Sequence, residues 1–165
     1  MKSRIAYTLS LSLVILIITA CAGSASTGPT NTPDPSFMSI NERAIWDFDN
    51  YRNELKGLVN SAADAPTESS VDYENLAQIV YQIGALSEQI DEYEVPLSFI
   101  KAQSALSNFA HSAYMCYNLK YQEYVRESVG DNTASKVDYS ICDKITEYEE
   151  SYDLFLQELK ANNSE

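Results

Sequence analysis

Basic residues are scarce in this chain of 165 residues. It has 11 lysines and arginines against 24 aspartates and glutamates, which gives a formal net charge of −13. A nucleic-acid site needs clustered lysine and arginine side chains to neutralise phosphates, and no such cluster is present. The composition therefore excludes a nucleic-acid partner. It also disfavours contact between the folded part of the chain and an anionic membrane surface.

The sequence motifs of the common enzyme classes are also missing. The chain contains no Gly-x-Ser-x-Gly, no His-Glu-x-x-His, no phosphate loop and no glycine-rich dinucleotide turn. His111 is the only histidine, which leaves few groups for acid–base catalysis near neutral pH. We therefore predict a protein that is not an enzyme and that has no catalytic residues.

One pair of residues has the chemistry of a metal or haem ligand set. His111 and Met115 lie one helical turn apart, and these residue types bind copper and ligate haem iron. A helical projection places both on the polar side of their segment, away from Phe109 and Ala113. The acidic runs of the chain lack the spacing of a calcium-binding loop. We therefore expect His111 to face solvent and predict no metal and no cofactor.

The N-terminus combines a basic start with a short apolar run. Lysine and arginine precede the sixteen residues from Ile5 to Ala20, and this run is shorter than the roughly 20 residues of a membrane-spanning helix. The run ends in Ile18-Thr19-Ala20-Cys21, which resembles the lipobox of bacterial lipoproteins. The resemblance implies cleavage after residue 20 and a lipid on Cys21. It places the protein on the extracytoplasmic face of the cell membrane, or on an outer membrane if the cell has one.

The segment after Cys21 has the composition of a linker. Residues 22–36 contain three prolines, two glycines and no large apolar side chain, so they cannot bury enough surface to offset chain entropy. The predicted organisation is a lipoprotein signal peptide over residues 1–20, a lipidated cysteine with a disordered linker over 21–36, and one domain over 37–165. The sequence of this domain resembles no specific family.

Apolar residues recur every three or four positions throughout residues 37–165. Breaks at Pro66, Pro96 and Gly130 divide the region into four segments of similar length. No strand-like alternation with turn pairs is present. The pattern predicts an all-α fold, an antiparallel up-down-up-down four-helix bundle. The alternative is a three-helix core with a loosely docked first helix.

Three local features refine this expectation. Gly84 lies inside the second helical segment and is expected to mark a close contact between helices. Pro96 is expected in the first turn of the third helix, where a missing N–H has no cost. The fourth helix is expected to begin after Gly130-Asp131-Asn132-Thr133, which offers several capping side chains.

Two cysteines besides Cys21 fall at similar distances from the break at Gly130. In a helical hairpin this spacing places Cys116 and Cys142 at the same height, and an oxidising compartment permits a disulfide between them. A helical projection argues against the bond, because the two residues lie on opposite-handed flanks of their apolar faces. The sequence leaves two alternatives open, a Cys116–Cys142 disulfide and two buried thiols.

Tyrosine is frequent, with 12 in the chain. Four of these residues follow one another at spacings of three, four and three along the third segment. They are Tyr114, Tyr117, Tyr121 and Tyr124. An apolar ring with a polar tip suits the half-buried boundary of a bundle, and it also suits a binding surface. This tyrosine stripe is the candidate partner surface.

These observations predict a non-enzymatic, lipid-anchored protein of the cell envelope that acts as a binding or scaffold module. Its partners would be the membrane, through the lipid on Cys21, and another envelope protein. One alternative is a helical bundle that binds a small ligand or a metal. An enzyme of unfamiliar type is the alternative with the least support.

Overall fold

The computed structural model describes residues 37–66, 69–130 and 137–162. These residues form four helices and no strand: α1 (Ile40–Ala63), α2 (Ser70–Glu92), α3 (Ile100–Ser128) and α4 (Ser140–Asn162). Consecutive helices pack against each other, and the predicted all-α four-helix bundle is confirmed. The predicted signal peptide, Cys21 and the linker lie outside the described residues.

Capping boxes determine where the first two helices begin. At the start of α1, the Ser39 hydroxyl accepts a hydrogen bond from the Glu42 N–H, and the Glu42 carboxylate accepts one from the Ser39 N–H at 2.8 Å. Ser69 and Asp72 make the same reciprocal pair at the start of α2. Each box satisfies amide groups that have no acceptor within the helix.

The starts of the last two helices differ from the sequence expectation. Pro96 precedes a short 3₁₀ turn, Leu97–Phe99, and α3 begins only at Ile100. The expected place of Pro96 in the first turn of α3 is therefore wrong, because Pro96 has a non-helical backbone and precedes the 3₁₀ turn that ends at the fully buried Phe99. The capping candidates at residues 131–133 lie outside the described residues. Near the start of α4, the Asp138 carboxylate accepts a hydrogen bond from the Ser140 N–H at 2.9 Å.

An aromatic cluster joins α1 to the rest of the core. Phe48 of α1 is fully buried, and its ring centroid lies 6.1 Å from that of Phe99 and 6.5 Å from that of Tyr152 on α4. Edge-to-face contacts at these distances are favourable beyond the area that they bury. Since α1 supplies the centre of the cluster, it is an integral part of the bundle and not a loosely docked addition.

Ion pairs bridge α1 and α4 along their outer seam. The Arg52 guanidinium lies 2.8 Å from the Asp153 carboxylate and 3.4 Å from that of Glu149. The Lys56 ammonium also reaches Glu149, at 2.6 Å. On this seam, carboxylates of one helix are therefore neutralised by basic side chains of the other.

A disulfide joins Cys116 on α3 to Cys142 on α4, with the two Cα atoms 5.0 Å apart. Of the two alternatives that the sequence left open, the structure has the bridge. The helical projection misjudged this pair because it describes one helix at a time and does not give the rotation of α4 relative to α3.

Candidate binding groove

An open groove of about 540 Å³ runs along the outer face of the bundle between α2 and α3. Two contacts define the antiparallel register of these helices. Near the α2–α3 turn, the Ser107 hydroxyl donates a hydrogen bond to the Asp91 carboxylate. About two helical turns farther along, Tyr114 lies against Gly84. The walls of the groove therefore come from two helices that are held at a defined height relative to each other.

Gly84 gives the groove its shape. A Cβ atom at this position would lie 3.1 Å from Cε2 and 3.2 Å from Cδ2 of Tyr114, which is closer than most real Cβ contacts. The absent side chain therefore lets the Tyr114 ring lie directly against α2. The sequence expectation that Gly84 marks a close helix contact is confirmed.

Aromatic side chains line one half of the groove. Tyr114 and Tyr121 of α3 are half-buried there, and Tyr81 of α2 lines the same groove with 77% of its surface exposed. Tyr81 was not predicted as part of this surface, because the spacing of tyrosines along α3 does not show which residues of α2 lie beside them. The register of α2 against α3 makes Tyr81 a neighbour of this stripe, and local spacing does not reveal that register.

The other two tyrosines of the predicted stripe lie elsewhere. Tyr117 is only 5% exposed, and the Lys120 ammonium lies 4.8 Å from the centre of its ring. Burial, with a smaller contribution from the Asp64 carboxylate, raises the pKa of Tyr117. Tyr124 stacks on Tyr73 at the start of α2. The structure thus brings two of the four tyrosines into the groove and uses the other two for packing.

Polar side chains line the second half of the groove. Glu88 and Asp91 are exposed on α2, and His111 is exposed on α3, as expected from its helical projection. Ser87 is only 9% exposed and also lines the groove. In the described part of the chain, no residue forms a hydrogen bond with its hydroxyl. This half of the groove therefore offers two carboxylates and one hydroxyl to a ligand.

The groove has a negative electrostatic environment because of the composition of α2. This helix has five acidic residues and neither lysine nor arginine between Ser70 and Glu92. Across the described ranges, no lysine or arginine forms an ion pair with Glu88 or Asp91. The carboxylates of the groove thus differ from those of the α1–α4 seam, which are neutralised within the protein.

Neither a metal site nor similarity to a known protein gives further information about the function. Within residues 37–66, 69–130 and 137–162, no group of three or more histidine, cysteine, aspartate or glutamate side chains is arranged to hold a metal ion. No helix in these same ranges is both long and apolar enough to cross a membrane. Comparisons with protein-family models, curated proteins and solved structures gave no match.

Proposed function

We propose that this protein is a non-enzymatic binding module of the cell envelope, held at the membrane by a lipid on Cys21. Its working surface is the α2–α3 groove, and its ligand there is a segment of another envelope protein. The observation that carries the proposal is that the exposed Tyr81 side chain lines the same groove as Tyr114, whose ring lies directly against Gly84. Tyrosine supplies a large contact area at a low cost in side-chain entropy.

The Cys116–Cys142 disulfide supports the location. Disulfides form and persist mainly in oxidising compartments outside the cytoplasm, which is where the lipobox at Cys21 would direct the protein. Loss of the signal peptide would leave nine basic residues against 24 acidic ones. That excess of negative charge favours a domain that stays clear of anionic lipids, with its groove accessible.

The dimensions of the groove favour a short ligand segment. Its volume of about 540 Å³ is in the range of pockets that accept a drug-sized molecule, and it suits two or three side chains of a peptide. A stable interface between two folded domains buries roughly 800 Å² on each partner. The proposed ligand is therefore an extended or terminal stretch of the partner protein.

Photo-crosslinking from the groove tests the proposal. A photoreactive amino acid replaces Tyr81 in the full chain, expressed in the native host, and a matched variant carries it at Leu154. Leu154 is 62% exposed on α4, so both substitutions leave the core intact. We expect a discrete adduct from position 81, lost when Tyr114→Ser is added, and no such adduct from position 154.

Two results would contradict the proposed function. One is the absence of any adduct from position 81, and the other is the same adduct pattern from positions 81 and 154. Thermal melts of the purified variants provide the folding control, because an unfolded Tyr114→Ser variant would lose the adduct for a trivial reason. If that variant melts early, Gly84→Ala replaces it, since it displaces the same ring without removing it.

A further inference from the structure

Charge is distributed unevenly over the surface of the bundle. On the α1–α4 seam, Arg52 and Lys56 neutralise carboxylates of the opposite helix at distances of 2.6 to 3.4 Å. The α2–α3 groove has carboxylates at Glu88 and Asp91 without a basic partner from the described residues. A groove with such uncompensated charge attracts cations and repels anions.

The aromatic half of the groove has the same preference. The face of a tyrosine ring carries partial negative charge, and a guanidinium or ammonium group within about 6 Å of the ring centre is attracted to it. Tyr81 of α2 and Tyr114 of α3 both line the groove. Glu88 follows Gly84 by one turn of α2, about 6 Å along the helix axis. A cation next to the Tyr114 ring is therefore within reach of the Glu88 carboxylate.

Ser87 adds a directional contact to this arrangement. It is more than nine-tenths buried, it lines the groove, and its hydroxyl has no hydrogen-bond partner among the described residues. The Ser87 oxygen is solvent-accessible in the groove, so it can accept a hydrogen bond from an N–H group of a ligand. Guanidinium, with its five N–H groups, is well suited to contact the hydroxyl and a carboxylate together.

We infer that the groove binds a basic segment of the partner protein, with a guanidinium or ammonium side chain between the tyrosine rings and the carboxylates of Glu88 and Asp91. This inference rests on the proposed function and specifies the chemistry of the ligand. The carboxylates and the Ser87 hydroxyl bind the cationic group, and the rings of Tyr81 and Tyr114 lie beside it. An acidic or neutral segment would leave the two carboxylates without a cationic partner.

Binding of defined peptides to the full chain in detergent tests the inference. The probe is a fluorescein-labelled nonapeptide of three Gly-Arg-Leu repeats, and the matched peptide has citrulline, a neutral isostere, in place of arginine. Fluorescence anisotropy gives the dissociation constants. We expect the citrulline peptide to bind about ten-fold more weakly or not at all, and Glu88→Gln with Asp91→Asn to weaken arginine-peptide binding about ten-fold.

Matched variants separate a local site from the general negative charge of the protein. Asp143→Asn with Glu150→Gln removes the same two charges from exposed positions on α4, and we expect less than a two-fold change. Tyr81→Ser removes a ring without altering charge and is expected to weaken binding about five-fold. Equal effects of the two double variants, or equal binding of the two peptides, would overturn the inference.

The remaining outcomes are also decisive. Tight binding of arginine methyl ester, with no gain from the peptide, would identify a site for small organic cations and overturn the assignment to a protein segment. A crosslinked adduct from position 81 combined with failure of the arginine peptide would overturn the ligand chemistry but leave the proposed function standing. Failure of both experiments would overturn both.

Discussion

Replacing Cys116 and Cys142 together by alanine measures how strongly the link between α3 and α4 stabilises the bundle. The two residues are separated by 26 positions in the sequence. A disulfide limits the conformations of the unfolded chain, and the cost of closing a loop of this length corresponds to about 3.5 kcal/mol at 25 °C. We expect the double variant to lose about that much of its free energy of unfolding.

The expected loss is large enough to measure and small enough to leave a folded protein. A single domain of ordinary stability has a free energy of unfolding of about 5–15 kcal/mol. For a domain of this size, 1 kcal/mol shifts the melting temperature by about 4 °C. The double variant should therefore melt about 14 °C below the disulfide-bonded protein.

Urea unfolding followed by circular dichroism at 222 nm provides the assay. The oxidised protein, the same protein with a reducing agent, and the double alanine variant are compared at one pH. The last two should agree within about 1 kcal/mol, because both lack the same loop constraint. Two reactive thiols in the denatured, unreduced protein would show that the bridge is absent. A loss below about 1 kcal/mol with the bridge present would refute the loop-entropy reasoning.

Four further predictions follow from single residues. Arg52→Met should cost about 1 kcal/mol in urea unfolding, and the loss should shrink in 1 M salt, because the ion pairs on the α1–α4 seam are partly exposed. Tyr152→Phe should be neutral or stabilise by about 1 kcal/mol in the same assay, because the Tyr152 hydroxyl is buried without a hydrogen-bond partner among the described residues. Gly84→Ala should change the melting temperature by less than about 3 °C, since a gain in helix propensity offsets displacement of the Tyr114 ring. It should nevertheless weaken arginine-peptide binding. Cys21→Ala should give an uncleaved, unacylated N-terminus by mass spectrometry, and a lipid on this variant would refute the lipobox assignment.

The helices were predictable because the signal for each one is local. Apolar residues at spacings of three and four define a buried face independently of the rest of the sequence. Breaks at Pro66, Pro96 and Gly130 separate the four segments. The boundaries were less accurate. A capping box starts α1 at Ile40, and a 3₁₀ turn delays α3 to Ile100. Such details depend on side-chain hydrogen bonds and on the path into the core, which periodicity does not contain.

Only part of the groove was predictable from the sequence, because the rest depends on contacts between helices. The stripe on α3 was visible in the sequence, and so was the exceptional position of Gly84 inside a helix. The contribution of Tyr81 and the burial of Tyr117 depend on how α2 and α3 pack. A helical projection describes one helix at a time, and it cannot give the height and rotation of a neighbouring helix.

The sequence by itself determined that this domain is built of four amphipathic helices, because helix formation and apolar spacing are properties of neighbouring residues. It also determined a strongly acidic surface, since charge is a matter of composition alone. Only the tertiary structure decided which residues of different helices meet. Packing brought Cys116 to Cys142, set Tyr114 against Gly84, and left the carboxylates of α2 beside a groove without a basic partner in the described part of the chain.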